Sequence, residues 1–196
     1  LKIMISYKQS RQILKKSLIK IKDEYIRSDD SLNRVSSTNI ISTTNYPSAN
    51  NTAFDGFAVC SKDTKDLNKN NSKKFKIVGS IIPGNKPITK KIKKFDAMEI
   101  MTGGVIPKPF DTIIPIEQII FYPNKKEANC IVINKKIKKN MHVRFLGSDY
   151  KKNDLVIKKG SIIYPNHILA LKALGIKKIK VKKKLNILFF STGNEI

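Results

Sequence analysis

The chain has 196 residues, 40% of them hydrophobic, which suits one large or two small domains with a sizeable core. Its net charge of +24 comes from 39 basic residues, of which only Arg11, Arg27, Arg34 and Arg144 are arginine. Lysine enriched together with asparagine and isoleucine points to AT-rich coding rather than to a surface selected for nucleic acid, where the bidentate guanidinium is favoured.

The N-terminal stretch lacks the apolar core of a secretory signal, and the segment 6–21 carries Ile13, Leu14, Leu18 and Ile21 on one face with lysines opposite, predicting an amphipathic, packed helix. A weaker helical signal covers 30–35. The polar run STTNYPSANN at 42–51 then reads as an exposed connection. From 52 to about 140 the texture is β, with short apolar or β-branched runs at 57–60, 75–82, 98–101, 113–120 and 130–133, and a polar, mobile loop at 61–74. Two further strands are expected at 155–157 and 161–163, joined through Gly160. A helix follows over 168–174, with Asn166 as N-cap and Gly175 at its C′ position, then a strand at 176–181. The last apolar run, 186–190, followed at once by Ser191, Thr192 and Gly193, reads as a buried parallel strand feeding the ligand-binding turn of an α/β unit. On this reading the sequence is the front portion of something longer.

Cys60 and Cys130 have no C-x-x-C partner, and His142 and His167 have no metal-ligand or dyad spacing, so buried thiols in a reducing compartment and packing histidines are expected. No run is long enough to span a bilayer, which favours a cytoplasmic protein without membrane attachment. Four constellations carry chemistry. NTAFDGFAV at 51–59 sets an Asp55-Gly56 turn directly against apolar residues, either a plain turn or a functional acid at a domain edge. AMEIMTGG at 97–104 ends a strand in Thr102, Gly103 and Gly104, where the backbone can meet an anion or simply reverse. VRFLGSD at 143–149 places a scarce arginine near an acid, for anion binding or for a surface ion pair between Arg144 and Asp149. STGNE at 191–195 puts hydroxyls and Glu195 at the carboxyl end of a parallel strand, where open α/β sheets bind ligands.

The order and spacing of these blocks, NTAFDGFAV, AMEIMTGGVIPKPFDTIIPIEQ, VRFLGSD and then KKGSIIYPNHILALKALGIKKIKVKKKLNILFFSTGNEI, closely resemble the MoeA/gephyrin family of molybdopterin molybdenumtransferases. The resemblance implies an elongated, β-rich α+β chain with two β-rich domains, a few short helices and the first strand of a truncated, doubly wound α/β domain. Residues 1–45 would form the N-terminal helical segment and part of a linker domain, 46–142 the β-rich domain with the DGFA and MTG motifs, 143–182 the rest of the linker domain, and 183–196 the first catalytic strand and its turn.

It also implies insertion of molybdate into adenylylated molybdopterin with Mg²⁺ and release of AMP. The catalytic positions would be Asp55, Thr102, Asp149 and Glu195, with Glu195 also on the metal, and the ligand-binding positions Gly56, Gly103, Arg144, Ser191, Thr192 and Gly193. Phe57, Ser148 and Asn194 depart from the Tyr, Glu and Asp usual in the family. A homodimer is implied, with the Asp55 and Thr102 side facing the partner's α/β domain, together with an enzyme that hands over adenylylated molybdopterin. By itself the 196-residue chain is expected to have little or no transferase activity. The competing readings are a lysine-rich nucleic-acid-binding module, which would need its lysines on one face, and a non-catalytic dimerisation remnant.

Overall fold

The computed structural model describes residues 5–17, 20–85 and 91–191. It divides into two compact units, one made of residues 1–41 and 155–196, the other of residues 42–154. The chain enters the first unit through α1 (Tyr7–Lys16), β1 (Asp23–Arg27) and β2 (Ile40–Ile41). It crosses the second through β3 (Asn51–Thr52), β4 (Gly56–Val59), β5 (Lys73–Ile81), β6 (Asp96–Ile100), β7 (Thr112–Pro115), β8 (Ile120–Tyr122), β9 (Cys130–Ile133) and β10 (Val143–Arg144). It returns to the first through β11 (Leu155–Ile157), α2 (Pro165–Ala173) and β12 (Lys178–Lys182).

The second unit is built on a six-stranded sheet in the order β7-β4-β6-β5-β9-β8, with β5 and β6 parallel and the other pairs antiparallel. Strand side chains alternate between faces, and β4 is buried on both: Phe57 and Val59 join Phe75, Ile114 and Ile131 on one side, while Ala58 joins Met98, Ile100 and Ile113 on the other. That is why its sequence is an unbroken apolar run rather than an alternating one. The expected run 113–120 is two strands, because a single turn of 3₁₀-helix at Ile116–Gln118 breaks it after Pro115. The segment 61–74 is more structured than a polar loop: buried Thr64 accepts from the Ile137 amide (2.9 Å) and donates to the Ser61 carbonyl (2.7 Å), and Leu67 enters the core.

In the first unit β1 pairs with β12 and β2 with β11, both antiparallel, over a core of Ile40, Ile157, Ile163, Leu171, Ile179 and Val181. Arg34, largely buried, pairs with Glu24 and donates to the Lys182 carbonyl (2.7 Å). Four expectations change here. Residues 31–35 are not helical, since Asn33 sits at φ +60° and Val35 bridges to Ile162. β11 pairs with β2 rather than with 161–163, although Gly160 does take the left-handed φ of +84°. α2 starts one residue before Asn166, because Pro165 fits the first helical turn and His167 Nδ1 takes the Tyr164 amide (3.1 Å). α1 is capped at Ser6, whose hydroxyl accepts from the Gln9 amide while the Gln9 side chain accepts from the Ser6 amide, but no residue of α1 is buried, contrary to the packed helix expected. Leu18 lies outside the described residues.

Residues 186–190 are not a strand. A parallel strand has no hydrogen bonds of its own and needs a neighbour. Among the described residues nothing pairs with this run, and Leu188, Phe189 and Phe190 are exposed. The stretch 143–154, assigned from sequence to the linker domain, falls in the second unit, where β10 pairs with β3.

Candidate functional site

The short strand β3 is the joint on which the sequence motifs of the second unit meet. On one side it pairs with β10, matching Asn51 to Arg144 and Thr52 to Val143. On the other it meets the turn after β6: the Gly103 amide donates to the Thr52 carbonyl (2.8 Å), the Thr52 amide to the Gly104 carbonyl (3.2 Å), and Asn51 bridges to Val105. The buried Thr52 hydroxyl donates to the Phe54 carbonyl (2.7 Å) and accepts from its amide (3.0 Å), curling the chain so that Asp55 projects at the tip. Gly56 is required directly behind it. A Cβ there would lie 2.0 Å from the Ile114 carbonyl oxygen.

Asp55 and Thr102, 47 positions apart, form the first pair. The Thr102 amide (2.6 Å) and hydroxyl (2.7 Å) both donate to Asp55 Oδ1. The two bonds, the amide's first, hold the Asp55 carboxyl below its ordinary range. Among the described residues no hydrogen bond reaches its other oxygen, so an anionic, oriented carboxylate faces outward. Of the two readings open for the Thr102-Gly103-Gly104 turn, reversal is the one seen. Gly103, at φ +84°, gives its amide to Thr52 rather than leaving it for an anion.

Arg144 and Asp149 form the second pair. The guanidinium binds Asp149 Oδ2, and Ser148 Oγ donates to Oδ1 (3.1 Å). The arginine's hydrogen bond lowers the Asp149 pKa and, in return, raises that of Arg144. Tyr46 completes this corner: its ring lies 5.6 Å from the guanidinium carbon, and its carbonyl accepts the Asp149 (3.1 Å) and Tyr150 (3.0 Å) amides. Sequence reasoning passed over Tyr46 because it stands in a polar run that reads as a mere connection. Its proximity to Arg144 comes from the bridge between Tyr46 and Tyr150, which no local pattern signals.

Ser191 is exposed and outside any strand in the first unit. Thr192, Gly193, Asn194 and Glu195 lie outside the described residues. Both histidines make structural contacts: His142 packs edge-on against Phe54 (4.6 Å between ring centres), and His167 caps α2. Cys60 is a buried free thiol whose pKa burial pushes up to about 11, and it donates to the Pro109 carbonyl (3.4 Å). Among the described residues no three Asp, Glu, His or Cys side chains converge as a metal cage. No described helix is long and apolar enough to cross a membrane.

A family model for the MoeA N-terminal region, domains I and II, matches residues 5–175. The chain belongs to this family. A molybdopterin molybdenumtransferase of Haemophilus influenzae is 31% identical over 194 residues, covering 98% of this chain and 46% of the relative. One from Staphylococcus epidermidis is 29% identical over 192 residues, covering 98% and 44%. A solved molybdopterin biosynthesis MoeA protein from Pyrococcus horikoshii superposes with a TM-score of 0.76 at 26% identity, over 92% of this chain and 46% of that one. The chain therefore spans about half the length of the relatives it matches. As a MoeA N-terminal region it is mostly β with two short helices, and its conspicuous acid, Asp55, is fixed by the threonine of its MTG block.

Proposed function

We propose that this chain is the N-terminal portion of a molybdopterin molybdenumtransferase, which inserts molybdate into adenylylated molybdopterin and releases AMP in molybdenum cofactor biosynthesis. The observation that carries the reading is the Asp55–Thr102 pair, assembled from two blocks of the family's sequence pattern and held with its free carboxylate oxygen outward. Both substrates are anions, so a fixed negative group here serves to orient hydroxyl or amino donors, or to keep a phosphate at a set distance, rather than to bind the anions directly. Arg144, held by Asp149 beside the Tyr46 ring, is the arginine of this unit that can meet an oxyanion with its remaining donors. Asp149 acts by placing it. Gly56 serves by letting β4 approach β7, and Gly103 by shaping the turn under Thr102.

Mg²⁺ belongs to the proposal through the family pattern alone, since among the described residues no three Asp, Glu, His or Cys side chains gather as a metal cage. Ser191, Thr192, Gly193 and Glu195 are proposed, by the family pattern, as ligand-binding residues, with Glu195 as the metal candidate. A homodimer, a cytoplasmic setting and an enzyme delivering the adenylylated substrate belong to the same proposal. Lysines occur in elements of both units, β5 and β12 among them, and no observation favours a nucleic-acid face.

The test is a chimera in which residues 5–191 replace the matching part of the Haemophilus influenzae relative, assayed for cofactor formation. Asp55→Asn is expected to reduce kcat by roughly a hundredfold or more, in the range seen when one preorganised polar group is removed. Unchanged turnover by a folded Asp55→Asn chimera would reject the assignment.

A further inference from the structure

A cavity of about 620 Å³ lies in the second unit, within the size range of small-molecule sites, and no role assigned above uses it. Its apolar wall is formed by Val105, Ile106, Phe110, Val143 and Leu146, and its polar groups include Lys108, Lys139, Asn50 and Asn140. These groups have donors to spare. Neither lysine has an ion-pair partner among the described residues. Asn50 uses its carbonyl oxygen to take the Leu146 amide (2.9 Å), which turns its NH₂ group into the available end. The single carboxylate on the wall, Asp111, is already occupied, with Oδ1 taking the Ser61 amide (2.7 Å) and Oδ2 the Ser61 hydroxyl (2.8 Å).

The lining is thus rich in donors and cations, poor in free acceptors, and carries five apolar side chains. A bare inorganic anion would leave the apolar wall wet, and a neutral hydrocarbon would make no use of the two exposed lysines at its rim. We infer that this cavity is a binding site for an aromatic anion, a flat apolar body bearing a phosphate or carboxylate, with the body against Val105, Val143 and Leu146 and the anionic group at Lys108 and Lys139. The inference does not depend on the transferase reading, because it rests on the cavity lining and not on Asp55 or Thr102.

The experiment is a fluorescence titration of the 196-residue chain with 1-naphthyl phosphate, with 1-naphthol and inorganic phosphate as matched ligands lacking one half each. Saturable one-to-one binding is expected, roughly tenfold or more tighter than either half. The double variant K108E/K139E should weaken it by about tenfold or more, whereas reversing the exposed loop lysines in K125E/K126E should leave it within about twofold. Val105→Glu, placing charge in the apolar wall, should weaken it too, with circular dichroism confirming that each variant is folded. Equal loss in both lysine pairs would show bulk attraction to a chain of charge +24 and overturn the site. So would naphthol or phosphate binding as tightly as the ester, or the absence of saturation.

Discussion

Thr102 reaches Asp55 with both of its donors, and this doubles the constraint on a side chain that is otherwise free in solvent. Because the folded pKa lies below the unfolded value of about 4, the pair stabilises the fold fully above that pH and loses its contribution as pH falls through the folded value. Thr102→Val removes the hydroxyl and keeps the amide. The Asp55 carboxyl should then titrate at higher pH, part of the way back to its ordinary range, as followed by the ¹³C shift of the side-chain carboxyl. An unmoved titration would mean that the hydroxyl contributes nothing. Gly56 offers a second measurement at this scale: Gly56→Ala forces a methyl against the Ile114 carbonyl and should cost more than about 2 kcal/mol in denaturant unfolding. The Asp-Gly turn and the Thr-Gly-Gly reversal were each legible in the sequence as local chemistry. That they would touch was not, since a separation of 47 positions and the register of β4 against β6 decide it.

Strands β4, β5, β6 and β9 were legible as elements because each is a compact apolar or β-branched run, and the helix after Pro165 showed both its period and its terminal glycine. The parallel pairing of β5 with β6 left no trace in the pattern, because strand direction is decided by the connection and not by the strand. Residues 186–190 show the converse. Their composition is that of a buried strand, but a strand's backbone groups are satisfied only by a neighbour, and none of the described residues provides one. Burial on both faces makes β4, like β7, a core element of the second unit. Phe57→Ala, at a side chain 2% exposed, should destabilise that unit by about 3–5 kcal/mol, read as a lower denaturant midpoint with little change in slope. A loss below about 1 kcal/mol would show that the sheet repacks around the cavity.

At the scale of the chain, two compact units match a family whose N-terminal region is described as two domains, while the relatives carry about as much polypeptide again. The large positive charge, the most conspicuous compositional feature, turned out to be the least informative. It is distributed over both units, and part of it is answered by local pairs such as Lys172 with Asp29 and Lys182 with Asp23. Blocks spaced far apart in sequence carried the family resemblance instead, and three of them, at 51–59, 97–104 and 143–149, come together on β3. If these residues supply one part of a molybdate-inserting site, as proposed, the remainder of a relative should complete it. The decisive measurement is AMP release from adenylylated molybdopterin in the presence of molybdate, comparing the 196-residue chain with the chimera that adds the remainder of the Haemophilus influenzae relative. Molybdate-dependent AMP release by the chimera and none by the chain alone is the predicted result. Comparable release by the chain alone, or a folded chimera that releases none, would contradict it.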